Sequence, residues 1–279
     1  MIDYLKDLFK RRKGKPLPRH MVIPDTQTKP GQSWDHLRWA GMYAAKTKPD
    51  VIVHIGDHWD FPSLSSHDAK GSKSFEGRRY VEDVNAGINA MRAFLDPIRE
   101  EQAKLKHDKK KQWNPRLVFT IGNHEYRIER ALDADVKLEG LMSYDDLMLK
   151  EMGWEVYDFL KPVVIDGVCY AHYHCSGVMG RPVSSPDLML KKLHMSTVMG
   201  HVQDRAIAFN KRADGKRLTG IFAGIFYTHA EEYLNYQTNN SWRGIWMLNE
   251  VQDGEFDEMP ISLDYLARTY MEDEDERTG

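Results

Sequence analysis

The sequence predicts an α/β fold built on a parallel sheet, and three observations carry that expectation. Short apolar runs at 20–24 and 51–55 flank a stretch with helical spacing, the pattern of a strand–helix–strand unit. Several such runs end in a loop that begins with a metal-ligand residue type: Asp25, Asp57, Asn123, His172 and His201. Beyond Trp154 the pattern turns to short strands and alternating stretches.

Taken in order, residues 1–19 read as a short amphipathic helix and a basic, proline-containing arm. The run 20–24 is a buried strand ending at Asp25. A helix is expected over 33–46, with Ser33 as N-cap and Trp34, Leu37, Ala40, Gly41 and Ala44 on one side. The run 51–55 is a second strand, ending at Gly56-Asp57. A Ser-, Gly- and Lys-rich loop spans 61–75, and a long helix follows over 76–106, broken near Asp96-Pro97. The basic run 107–111 is an exposed turn, 117–121 a third strand, and 126–152 helical. Strands at 163–165 and 168–171 are joined by a turn at Asp166-Gly167. A helix at 186–196 precedes 197–200, which leads into His201, and alternating stretches follow at 205–210, 219–226 and 242–250. The domain expectation is a basic arm at 1–19, one domain over 20–265 and an acidic tail at 266–279.

With 279 residues, 41% of them apolar, the chain is long enough to bury a sizeable core. A net charge of −3 gives no whole-molecule field toward nucleic acid or membranes. Charge is instead local, with Lys10, Arg11, Arg12, Lys13, Lys15 and Arg19 at the start and Glu272 to Glu276 at the end. Two cysteines, Cys169 and Cys175, exclude a disulfide scaffold and an all-cysteine zinc site. No signal peptide or membrane span is expected, and the cytosol is the expected compartment.

The fragments Pro24-Asp25-Thr26-Gln27, Gly56-Asp57-His58-Trp59-Asp60, Gly122-Asn123-His124-Glu125, Ala171-His172-Tyr173-His174 and Gly200-His201-Val202-Gln203 stand in this order in the sequence. Together they resemble the five blocks of the calcineurin-like metallophosphoesterases, with members of tailed bacteriophages among the similar ones and the double-strand-break repair nuclease as a distant likeness. A phage origin would place the protein in the host cytoplasm.

The resemblance implies a sandwich of two central β-sheets flanked by helices, with a pair of divalent metal ions at the strand ends. By it, Asp25 binds the first metal and Asp57 bridges both. Asn123, His172 and His201 complete the second site. His124 faces the phosphoryl group or leaving oxygen, and Asp60 orients it. The implied partner is a phosphoester, with nucleotides and nucleic acids among the candidates. A diester is favoured, with a DNA or RNA nuclease and a weakly catalytic metal-binding module as alternatives. Phe61-Pro62 after Asp60, where protein phosphatases of the family carry Arg-Gly, argues against a protein phosphatase.

Two departures from the family pattern fall on one site. Gln27 and Gln203 stand where the family places histidines of the first metal. Three readings stay open: the amide oxygens ligate, giving an all-oxygen site suited to Mg²⁺, Mn²⁺ or Ca²⁺ over Zn²⁺; the first site is weak; or the centre is degenerate. Mn²⁺ is the favoured ion, with Mg²⁺, Zn²⁺, Fe and Ca²⁺ compatible. His172 is preferred over His174 as the ligand, and His58 is read as a neighbour of the site. Arg127, ahead of Arg78, Arg79, Arg130 and Arg181, is the first candidate phosphate clamp. Tyr227, His229, Tyr233 and Tyr236 are a candidate stacking wall.

Overall fold

A computed structural model describes residues 16–65, 76–229 and 241–271. Most of the basic arm, the loop at 66–75, Tyr233, Tyr236 and the tail from residue 272 lie outside the described residues.

The first sheet grows from the strand–helix–strand unit at the start of the chain. β1 (His20–Ile23) pairs in parallel with β2 (Val51–His54), β2 with β3 (Arg116–Thr120), and β3 with β4 (Glu155–Tyr157). Two late strands, β12 (Gly244–Gln252) and β13 (Glu255–Ser262), close the other side antiparallel, giving the order β13-β12-β1-β2-β3-β4. The second sheet joins β5 (Val163–Ile165), β6 (Val168–Ala171), β9 (Thr197–Met199), β10 (Arg205–Lys211) and β11 (Arg217–Ala223) in the order β10-β11-β9-β6-β5. A small hairpin, β7 (Cys175–Ser176) and β8 (Arg181–Pro182), stands between β6 and β9 in the chain.

The period of two along each strand splits the core into layers. Val22, Val53 and Val118 of the first sheet meet Tyr170, Val198 and Ile221 of the second between the sheets. Their neighbours Met21, Ile23, Ile52 and Phe119 point outward, onto α1 (Asp35–Thr47) and α2 (Tyr80–His107). α4 (Pro186–Leu193) covers the far face of the second sheet through Met189 against Met199 and Phe222. The protein is therefore the expected α/β sandwich of two central sheets flanked by helices. One polar tie crosses its interior, where His20 donates from Nε2 to Asp166 (3.0 Å) and accepts at Nδ1 from the Tyr170 hydroxyl (2.6 Å).

Three elements differ from the sequence expectation. α2 runs through Pro97 without a break, because Phe94, Leu95, Pro97 and Ile98 are all buried and that burial outweighs one lost ladder bond. The helix expected over 126–152 stops early, as α3 (Arg127–Ala134), and short 3₁₀ turns take over at Val136–Leu138 and Tyr144–Leu147. Asp135 turns extended and caps the first turn, and Ser143 and Asp146 form a capping box on the second. The tail boundary expected at 265 cuts through α5 (Leu263–Tyr270), whose Leu266 and Tyr270 are buried. No helix among the described residues is long and apolar enough to cross a membrane.

Several histidines are buried neutral. Burial pushes His36 down to about 3 and His58 to about 4, and His54 well below its ordinary value. The unfolded chain takes up protons near the ordinary imidazole value and the folded chain does not, so stability is lost as pH falls from about 6.5 toward 4, by about 1.4 kcal/mol per proton per pH unit. His36 is the plainest case: it is buried and packs edge-on to Phe226 at 5.2 Å. His36→Leu is expected to raise the urea midpoint, more at pH 5 than at pH 8. An equal gain at both values would show that His36 takes no part in the acid limb.

Candidate metal centre

The loops that leave β1, β2, β3, β6 and β9 meet at one end of the sandwich, where the carboxyl ends of the parallel strands lie. Glu125 fastens two of them together. Its carboxylate is fully buried and accepts four backbone N–H groups: Asp57 (2.9 Å) and Gly122 (2.8 Å) on Oε2, His58 (2.6 Å) and Trp59 (2.9 Å) on Oε1. Burial and the nearby Asp57 carboxylate push its pKa up, and the N–H groups oppose that rise. Glu125 had no role assigned from the sequence. Its place at the end of the Gly122-Asn123-His124-Glu125 block is the signal that could have found it.

The β1 loop is tied in turn to the β2 loop. Thr26 and Gln27 donate their N–H groups to the Asp57 carbonyl (3.0 and 2.9 Å), and Phe226 donates to the Asp25 carbonyl (2.7 Å). Three non-glycine residues here adopt left-handed backbone: Gln27 (φ 38°), Asp57 (φ 52°) and His201 (φ 63°). The glycines of the blocks leave room for the carboxylates. A Cβ on Gly122 would sit 2.2 Å from Asp57 Oδ1, and one on Gly200 would sit 2.4 Å from Asp25 Oδ1.

Asp57, His172 and His201 offer ligand atoms that all lie within 4.8 Å of one another. His172 donates from Nδ1 to the Ile55 carbonyl (2.9 Å), which turns its Nε2 toward Asn123 Oδ1 (2.8 Å) and Asp57 Oδ2 (3.3 Å). His201 Nδ1 lies 2.7 Å from the same Asn123 oxygen. With the Nδ1 proton of His172 spent on Ile55, nitrogen and oxygen lone pairs face each other across this point, and that arrangement is the donor set of a cation. Asp25 accepts the His201 N–H on Oδ1 (3.1 Å), and its buried Oδ2 has no hydrogen-bond partner among the described residues. Gln27 is buried beside it, and Gln203 is half-buried in the loop between β9 and β10.

Electrostatics show the same need for positive charge. Burial, with Asp57 adding to it, pushes Asp25 up to about 7. Burial works against the Asp57 carboxylate too, yet His124 and His172 hold it far below the usual range. Burial would depress His172, but Asp57 lifts it to about 9. The buried Asp57 carboxylate is here balanced by His124 and His172, a task a divalent ion performs when bound.

His124 stands at the rim. It donates from Nδ1 to Asp60, whose carboxylate oxygen and carbonyl lie 3.0 and 2.9 Å away. Burial opposes the Asp60 charge, but the bond from His124 holds it at about 2. Arg127 donates to the Asp60 and Phe61 carbonyls (2.6 and 3.1 Å) and presents Nη2 3.3 Å from His124 Nε2. Lys29 lies 3.4 Å from the Asp60 carboxylate.

The ambiguous histidines separate. His174 Nε2 lies 3.9 Å from Cys169 Sγ, away from the cluster that His172 joins. His58 donates from Nε2 to the Gly87 carbonyl (2.9 Å) and accepts at Nδ1 from Thr26 Oγ1 (2.7 Å), which itself accepts from His54 Nε2 (3.2 Å). Both His58 nitrogens are thereby used in fixing the ligand loops. Tyr227 is buried, stacked on His229 at 4.5 Å, with the Arg243 guanidinium 5.3 Å from its ring centre, so its ring is taken up inside the fold.

No family model matches the chain. An 82-residue stretch is 38% identical to the Gene 54 protein of Mycobacterium phage L5, covering 29% of this chain and 30% of that protein's length. Among solved structures, the chain is similar to Yfce, a phosphoesterase from E. coli, at 12% identity and a TM-score of 0.39, covering 88% of this chain and 99% of the other. It is also similar to a dimetal phosphatase from Danio rerio, at 11% identity and a TM-score of 0.35, covering 89% and 100%. The function proposed below is carried by the side chains of the centre.

Glu125→Gln retains one acceptor oxygen and turns an NH₂ group toward two backbone N–H donors. Leaving those donors buried and unbonded is expected to cost about 2 kcal/mol or more in urea unfolding, and to weaken Mn²⁺ binding in calorimetry. Unchanged values in both measurements would show that the four bonds do not hold the loops.

Proposed function

We propose that this protein is a metal-dependent phosphoesterase that hydrolyses a phosphodiester. One observation carries the reading: the buried, lone-pair-rich cluster of Asp57, Asn123, His172 and His201 lies beside a histidine already oriented by a carboxylate, His124 with Asp60. The residues fit a pair of divalent ions. Asp57 would be shared, Asn123, His172 and His201 would complete one site, and Asp25 with the Gln27 and Gln203 amide oxygens would form the other. That second donor set is all oxygen, which favours Mn²⁺ over Zn²⁺. Bound there, divalent ions supply a water of lowered pKa and draw charge from the phosphoryl oxygens.

The chain's own groups do the rest. Asp60 holds the Nδ1 proton of His124, so Nε2 is the nitrogen that meets substrate. From Nε2, His124 delivers a proton to the departing alkoxide oxygen. Arg127, fixed by two backbone carbonyls, presents its remaining N–H groups to a phosphoryl oxygen and swings its Nη2 from His124 onto the ligand. The diester is the narrower part of this proposal, and the comparison of diester with monoester turnover decides it.

Metal-stripped protein is expected to hydrolyse bis-p-nitrophenyl phosphate on adding Mn²⁺, faster than with Mg²⁺ or Zn²⁺, and faster than it hydrolyses p-nitrophenyl phosphate. Asp57→Ala should abolish turnover. His124→Ala should lower kcat by about 10²–10⁴, and Arg127→Ala should raise KM. Faster turnover of the monoester would reverse the diester assignment. Tight binding of a single ion with no turnover by any metal would mark the centre as non-catalytic.

A further inference from the structure

Beside the cluster, three aromatic residues from three different loops form a continuous wall. Tyr126 follows Glu125, Phe159 lies between β4 and β5, and Tyr173 directly follows His172. Tyr126 and Phe159 stack with ring centres 4.5 Å apart and 22° between planes, and Phe159 meets Tyr173 edge-on at 5.6 Å. Tyr173 then contacts the ring of His201 at 4.7 Å and that of His172 at 5.8 Å. All three side chains are half-buried, so the wall keeps a face in solvent. Leu160, next to Phe159, is exposed, as are Val178 and Met179 at the tip of the β7–β8 hairpin beyond Tyr173. The centre thus has charged groups (Asp60, Arg127, Lys29) around His124 and the Tyr173 ring against His201.

We infer that this wall is a subsite for a planar ring, and that the substrate is a nucleotide phosphodiester whose base stacks on Tyr173. The inference rests on the phosphoesterase reading of the same centre. The three side chains are half-buried, and Tyr173 lies against the His201 ring of the cluster. A nucleoside esterified to a phosphate at the cluster carries its base one sugar away, and the aromatic surface is the wall that the cluster's own ligand His201 touches. Stacking of a base on an aromatic side chain tolerates any base, so this subsite selects nucleotides as a class.

The test compares three probes by calorimetry on the full chain with Mn²⁺: inorganic phosphate, ribose 5-phosphate and adenosine 5′-monophosphate, with octyl phosphate as an apolar control. Adenosine 5′-monophosphate is expected to bind about tenfold or more tighter than ribose 5-phosphate. In Tyr173→Leu that ratio should fall toward one, while Tyr173→Phe keeps it. Using the ratio cancels any effect of the substitution on the phosphate end. Equal binding of the two sugar phosphates by the native chain, or an unchanged ratio in Tyr173→Leu, would overturn the ring subsite while leaving the phosphoesterase reading in place. Octyl phosphate binding tighter than adenosine 5′-monophosphate would overturn it in favour of an unspecific apolar surface. Failure of all four probes to bind, phosphate included, would overturn both.

Discussion

The carboxylate of Glu125 is the constraint on which the centre depends. Four backbone N–H groups from two loops converge on one fully buried side chain. The loops come from neighbouring parallel strands, β2 and β3, and each has to turn sharply at its glycine. Gly56 is left-handed (φ 91°), and a Cβ there would strike the Thr120 carbonyl at 2.6 Å. Such turns leave N–H groups pointing inward with no strand to pair with, and an unpaired buried N–H is costly. Glu125 satisfies them and fixes the spacing between Asp57 and Asn123, neither of which could be placed by its own loop alone.

From that anchor the remaining parts follow in sequence. Asp57, held by its N–H and carbonyl, accepts the His124 N–H on Oδ1, so one carboxylate oxygen serves the backbone and the other faces His172. The Asp57 carbonyl collects the β1 loop, and the Asp25 carboxylate collects the β9 loop through the His201 N–H. The two aspartates that would hold a metal are therefore also structural acceptors, which is how the loops from β1, β2, β3 and β9 reach one point.

The five strand ends were legible in the sequence because each combines a short apolar run with a polar residue that a buried strand has no other reason to follow. The α/β class followed from the same pattern, and the two-sheet sandwich was implied by the resemblance that the five blocks carry. The pairing of His124 with Asp60 was expected and lies in contact. Other features left weaker traces. Glu125 reads as an ordinary acid, since nothing local says that its partners are 66 to 68 residues away. The continuity of α2 through Pro97 and the docking of α5 depend on which surfaces face them, and tertiary burial overrides local propensity at both places. Tyr227, a candidate for a stacking wall, is taken up inside the fold, since aromatic spacing along the chain does not reveal whether a ring is enclosed by its neighbours. Tyr126, Phe159 and Tyr173 come from separate blocks and share no spacing at all.

The left-handed backbone at Gln27, Asp57 and His201 has an evolutionary consequence. Each costs on the order of 1 kcal/mol with a side chain present, and glycine would relieve that cost at all three. A lineage released from its chemistry would drift toward glycine there and become more stable in doing so. Side chains at these three positions therefore record a balance between folding and function, one that a decaying copy of the gene would lose early.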